Sequence, residues 1–148
     1  MAFQEKRAIV SFFSTTLVSI LYFAFIYQRY TEGDFTTGGE LHFWASAILL
    51  FIPVQIVAKI IVQVLFIVVN LVVTRENEPK ITDEFDKLVD LKATRNFYHV
   101  FAFSVFLGMG ALVLSQPVTV MFTLIILGMI VGGAILDLSQ FIYYRRGV

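Results

Sequence analysis

Phe97–Ser115 (FYHVFAFSVFLGMGALVLS) and Val118–Leu136 (VTVMFTLIILGMIVGGAIL) contain no Asp, Glu, Lys or Arg, and only Gln116 and Pro117 separate them. A helix that crosses a bilayer needs about 20 mainly apolar residues. Each run has that length. Proline opens a helix readily and disfavours helix in the residue before it. The stretch therefore predicts two spanning helices joined in a tight hairpin, with the second continuing past Asp137 to Tyr144.

The same pattern extends toward the N-terminus. Ala8–Tyr27 is an uncharged run of 20 residues behind Lys6 and Arg7. It is long for the apolar region of a signal peptide, and Gln28, Arg29 and Tyr30 follow it in place of a small-residue cleavage pattern. It is expected to be a retained signal-anchor. Leu41–Val73 is a run of 33 residues, interrupted only by Pro53 and Lys59 among breakers and charges. The fold class expected is an all-α membrane protein, a four-transmembrane-helix bundle with spans at 8–27, 41–73, 97–115 and 118–144, forming a single domain over 1–148.

Composition agrees. Of the 148 residues, 58% are hydrophobic and 15% charged, against roughly 45–50% and about 25% in soluble domains. The net charge of zero offers no basic surplus for nucleic acid, so no direct nucleic-acid binding is expected. Cysteine is absent, which removes disulfides, thiolate metal sites and Cys nucleophiles.

Basic residues set the expected orientation. Lys6, Arg7, Arg75, Lys80, Lys87, Lys92, Arg95, Arg145 and Arg146 fall on one side of the four spans, and Arg29 alone on the other. Nine against one puts both termini in the cytoplasm by the positive-inside rule. The Gln28–Glu40 connection is then outside. Tyr27, Tyr30 and Trp44 are expected in the outer aromatic belt, and Tyr98, Tyr143 and Tyr144 in the inner one. In the cytoplasmic loop at 74–96, Asn77, Glu78, Pro79 and Lys80 read as a turn. Thr82 is a candidate N-cap, followed by Asp83 and Glu84 in the favourable first turn. Phe85, Leu88, Val89 and Lys92 then recur at helical spacing. A short amphipathic helix near the inner membrane face, running into the third span, is expected there.

Polar residues in the spans are the candidate site. Gln55, Lys59 and Gln63 stand four apart and share one helical stripe, with Asn70 near it. Gly133, Asp137, Gln140 and Tyr144 form a stripe on the fourth helix. Two arrangements are open for the charges. Counting about 20 residues per crossing places both near the inner rim, Lys59 about 6 Å inside it, where a lysine snorkels and an aspartate meets the interface. Alternatively the stripes face each other and Lys59 pairs with Asp137, or Asp137 pairs with Lys92 or Arg95. An intramembrane charge is by default a functional hypothesis. Ser11, Thr15, Ser19 and Tyr22 form a hydroxyl stripe on the first helix, read as interhelical packing. Gly128 and Gly132 make a GxxxG pair that, with Gly108 and Gly110, permits close helix contact within the hairpin or between protomers. Asp83, Asp86 and Asp90 share a face, either solvated or docking a basic partner or the terminal Arg145 and Arg146. A short match between Val57–Gln63 and Ala134–Gln140 hints at duplicated halves.

No enzyme constellation is expected. His42 and His99 fall on opposite sides of the membrane, and there is no HExxH, GxSxG or phosphate-binding glycine loop. Neither a cofactor nor a metal is implied.

The stretch Thr82-Asp83-Glu84-Phe85-Asp86-Lys87-Leu88-Val89-Asp90-Leu91-Lys92-Ala93-Thr94-Arg95 resembles a family of small, functionally uncharacterised four-span membrane proteins of bacteria and archaea. These carry an Asp-Glu pair, an aliphatic residue and Lys-Ala before the third span. The ending Tyr143-Tyr144-Arg145-Arg146-Gly147 is similar to that family's C-terminus. The resemblance implies a prokaryotic inner membrane and no known catalytic activity.

The function expected is non-enzymatic: a membrane scaffold or sensor that presents Asp83, Asp86, Asp90, Lys92, Arg95, Arg145 and Arg146 to a cytoplasmic protein. The rival is a small transporter or channel built on Gln55, Lys59, Gln63, Asp137 and Gln140. Four helices leave little room for an aqueous path, so that reading needs a homo-oligomer. The lipid bilayer is a partner in both.

Overall fold

The computed structural model describes residues 3–35, 38–75 and 84–147. It is all-helical over these residues: α1 (Phe3–Glu32), α2 (Gly39–Thr74), α3 (Glu84–Val113) and α4 (Val118–Arg146). All four are long and apolar enough to cross a membrane. At about 1.5 Å per residue, even the 29-residue α4 is longer than a hydrocarbon core of about 30 Å.

Local chemistry sets the ends. Pro117 caps α4 in an extended conformation, and its carbonyl accepts the Val120 N–H at 2.9 Å. Ser115, at φ 60°, turns the chain, while the N–H groups of Leu114, Ser115 and Gln116 bond back to the last turn of α3 at 3.0 Å. The predicted hairpin is thus formed around Gln116 and Pro117. Arg75 ends α2 in the left-handed region at φ 57°, with its N–H on the Leu71 carbonyl. Pro53 sits inside α2 and supplies no N–H to the Leu49 carbonyl.

The helix expected before the third span runs into it without a break. From Glu84 onward its residues are the first turns of α3 and stand against α4. The reason is packing. α4 runs on to Arg146, so Val89 and Ala93 are fully buried and the Phe85 ring meets Tyr144 at 6.0 Å. No proline or glycine between Glu84 and Asn96 interrupts the helix. Thr82, Asp83 and the 77–80 turn lie outside the described residues.

α4 is the central element. It packs along α3 and α1, α2 packs along α1 and only touches α4, and α2 does not meet α3 among the described residues. The α3–α4 contact is close because of glycine. A Cβ on Gly128 would overlap Ser104, one on Gly132 would come within 2.9 Å of the Phe97 ring, and one on Gly108 within 3.3 Å of Met121. The GxxxG pair therefore joins the two helices of the hairpin, and Gly110 has open space around it.

α1, α2 and α4 enclose the main core at the end opposite the termini. Ile26, Trp44, Ala47 and Ile126 are buried there, under Tyr22, Phe23, Tyr30, Phe43 and Phe122. Trp44 is 0% exposed, because Tyr30, Phe43 and Phe122 surround it at 5.1–6.3 Å. Tyr27 and Tyr98 are exposed as belt residues would be.

Candidate functional site

Between that aromatic core and the end that carries the termini, α1, α2 and α4 meet along a polar seam. α1 contributes it by four-residue spacing. Ser11, Thr15 and Ser19 are all buried, one turn apart, on the face that α2 and α4 cover. The stripe expected on α2 is real, and each member reaches across. Gln55 Nε2 donates to Ser19 Oγ at 2.6 Å, Lys59 Nζ reaches Asp137 Oδ1 at 3.3 Å, and Gln63 Oε1 accepts from Arg7 Nη2 at 2.9 Å.

Asp137 is the centre of the seam. It is 1% exposed, whereas the Lys59 side chain is 34% exposed. Of the arrangements left open by the sequence, Lys59 is the partner, and neither Lys92 nor Arg95. Ser11 Oγ donates to the same Oδ1 at 3.2 Å, and Oδ2 is buried with no hydrogen-bond partner. Gln55 Oε1 is a second buried acceptor without a partner. Removing charges from water is costly, and a buried pair recovers that cost only when its remaining hydrogen bonds are made. One of the two oxygens of this carboxylate has no hydrogen-bond partner among the described residues.

The stripe expected on α4 divides. Asp137 faces α1 and α2, whereas the residues after it turn to α3. Asn96 Nδ2 donates to Ser139 Oγ at 3.0 Å and to Tyr143 Oη at 3.1 Å, and Gln140 Nε2 donates to Asp90 Oδ1 at 2.9 Å. Tyr144 stands beside Asp86 and Asp90. Gln140 therefore leaves the cluster with Lys59 because α3, not α2, flanks its side of α4. On the acidic face, Asp86 and Asp90 are met by Tyr144 and Gln140, and Asp83 lies outside the described residues. Arg145 stacks over Phe141 at 6.0 Å, and Arg146 is exposed. Lys92 is half-buried, and Arg95 is exposed.

Three features of the bundle were not read from the sequence. Ser11 is a direct partner of Asp137, and its four-residue register with Arg7 and Thr15 was the available signal. Asn96 links two α4 side chains. At the far end, Tyr30 donates to Glu40 Oε1 at 2.8 Å and lies 2.8 Å from Thr119 Oγ1, which also donates to Glu40. That triangle ties α1, α2 and α4 where the chain turns back.

Chemically, the seam offers one buried carboxylate, one partly exposed ammonium and a row of hydroxyls and amides. No group of three or more His, Cys, Asp or Glu that could hold a metal occurs among the described residues. His42 is exposed, and His99 is exposed with Nδ1 2.8 Å from the Arg95 carbonyl oxygen. The class defined so far is an all-helical bundle of membrane-length helices with a charged pair inside it. No family model, curated protein or solved structure matches the chain.

Proposed function

We propose that the chain is a non-enzymatic, multi-pass membrane sensor or scaffold of a prokaryotic inner membrane, with both termini and the start of α3 in the cytoplasm. The basic-residue asymmetry supports that orientation. The resemblance of Asp83–Arg95 and Tyr143–Gly147 to a family of small four-span membrane proteins supports the setting.

One observation carries the sensor reading. A single helix, α4, holds the buried Asp137 against α1 and α2, and three and seven residues later presents Gln140 and Tyr144 to the first turns of α3. A change at the pair moves the helix that supports the cytoplasmic face. That segment exposes Lys87, Leu88, Leu91 and Arg95 at helical spacing, and α4 ends on the exposed Arg145 and Arg146. Apolar side chains flanked by cations fit a protein partner with an apolar and acidic surface.

The test is capture of partners by the full chain in detergent. The partner is expected to be lost on Lys87→Glu with Arg95→Glu, and on truncation of residues 145–148, and retained on Arg29→Glu at the opposite end. Equal capture by all of them rules the reading out.

A second reading has its own support. The polar contacts run in sequence from Arg7–Gln63 through Ser11–Asp137–Lys59 to Ser19–Gln55, as a pathway for a small ion would. A transporter or channel of this kind needs several copies of the chain. Flux into liposomes, compared among the parent, Lys59→Ala and Asp137→Asn, decides it, and no flux in the parent removes it.

A further inference from the structure

We propose that Asp137 is a proton-binding site inside the bundle, and that Lys59 is the cation that gives way when the proton arrives. The proposal rests on the reading of the seam as the sensor's input and names its ligand.

The two partners are held unequally. Asp137 is 1% exposed and pinned by Ser11, so the carboxylate stays where it is. Lys59 keeps 34% of its side chain exposed and makes a single long contact of 3.3 Å. Its flexible stem allows the ammonium to swing along the helix surface toward the headgroups, as lysines near a membrane boundary do. An aspartate abandoned in a dry seam is costly as an anion, so a positive charge has to replace the ammonium.

The oxygens available select that charge. Calcium takes six to eight oxygen ligands and magnesium an octahedron. Asp137 and Ser11 supply far fewer. A proton needs one acceptor, and Oδ2 is buried without a donor. Protonation neutralises that oxygen, so the carboxyl stays in the dry seam without a counter-charge, while Oδ1 keeps the hydroxyl of Ser11.

The surrounding charges are few. α1 brings Ser11 to the carboxylate, with Arg7 one turn beyond it and held by Gln63. α2 brings Lys59. α3 brings Asp90, held away by Gln140, with Lys92 and Arg95 in the next turns. In the exchange the proton comes from water at the end that carries the termini and bonds to Oδ2. Lys59 keeps its own proton and moves outward as the ammonium, so the chain gains one positive charge while the seam holds a neutral acid.

Infrared difference spectra of the full chain in lipid nanodiscs, stepped from neutral to acidic pH, test this directly. A protonated-carboxyl C=O band is expected on acidification, amounting to one proton per chain. Asp137→Asn should abolish it, and Lys59→Met should raise the pH at which it appears. Ser11→Ala keeps the ion pair and is expected to move the band to higher frequency through loss of the hydroxyl that donates to Oδ1. It serves as the readout if Lys59→Met fails to fold. Two results overturn the proposal: no band sensitive to Asp137→Asn at any pH where circular dichroism retains the helices, or a band set at constant pH by exchanging choline for sodium, which assigns the site to a metal cation. The band reports the proton alone, so loss of partner capture with the band intact strikes only the sensor reading.

Discussion

At the end away from the termini, α1, α2 and α4 meet through Ile26, Trp44, Ala47 and Ile126, roofed by aromatic rings. Two turns further along, the same three helices meet through Ser11, Ser19, Gln55, Lys59 and Asp137. The first region is mainly an apolar contact, although the Trp44 Nε1 at its centre is buried without a partner. The second is mainly polar, and Asp137 Oδ2 and Gln55 Oε1 lack partners there. Packing dominates the aromatic region, and the polar region depends on the charge each group carries. A bundle built this way has an apolar contact at one end and a charged one at the other.

Four measurements sharpen or break that contrast. The largest expected effect is in the apolar region. Trp44→Ala removes a fully buried ring and should cost about 3–5 kcal/mol, read as a fall in thermal unfolding temperature in detergent. A loss no greater than that of Asp137→Asn would erase the distinction between the regions.

The seam should respond asymmetrically. Lys59→Met at neutral pH leaves a buried carboxylate without its cation, and about 3 kcal/mol is expected, the low end for breaking a buried pair. Asp137→Asn leaves a lysine that can reach water and should cost about 1 kcal/mol. Equal costs would mean that Lys59 is as fixed as its partner.

Between helices α3 and α4 the contrast is with a contact that has no polar choice to make. Gly128→Ala drives a Cβ into Ser104 and should destabilise by about 1–3 kcal/mol. Gly110→Ala, in open space, serves as the control and should be neutral or better.

The smallest effect is a pH dependence at the rim of the apolar region. Glu40, just ahead of the apolar run of α2, has its carboxyl held below the usual range by hydrogen bonds from Thr119 and then Tyr30. A depressed folded-state pKa adds stability above the unfolded pKa, and that stability is lost as pH falls through the folded value. The melting temperature of the parent should therefore drop slightly on acidification below the usual glutamate range, and Glu40→Gln should flatten that slope.

Much of the fold was legible because lipid imposes its demands on single segments. A run of about 20 apolar residues reports a span without reference to any neighbour. Thus the four helices, the turn at Gln116 and Pro117, and the shared face of Gln55, Lys59 and Gln63 follow from the chain itself. The partners of that face were less legible. Helical periodicity says which residues point the same way, and it does not say which helix stands opposite. Gln140 read as a neighbour of Lys59 was a local inference that the packing of α3 overruled, and periodicity alone named no partner for Ser11.

What the sequence determined by itself is therefore one-dimensional: helix positions, the hairpin, the asymmetry of basic charge, and the faces on which polar residues fall. The tertiary structure decided the rest. It put α4 at the centre, which brings Ser11 and Lys59 onto one oxygen of Asp137. It set α3 on the other side of α4, which takes Gln140 to Asp90, and it closed Tyr30, Phe43 and Phe122 around Trp44. The physical reason is that intrahelical hydrogen bonds and lipid solvation act within a segment. The pairing of buried charges and the fit of glycine against side chains act only between segments, after packing order is set.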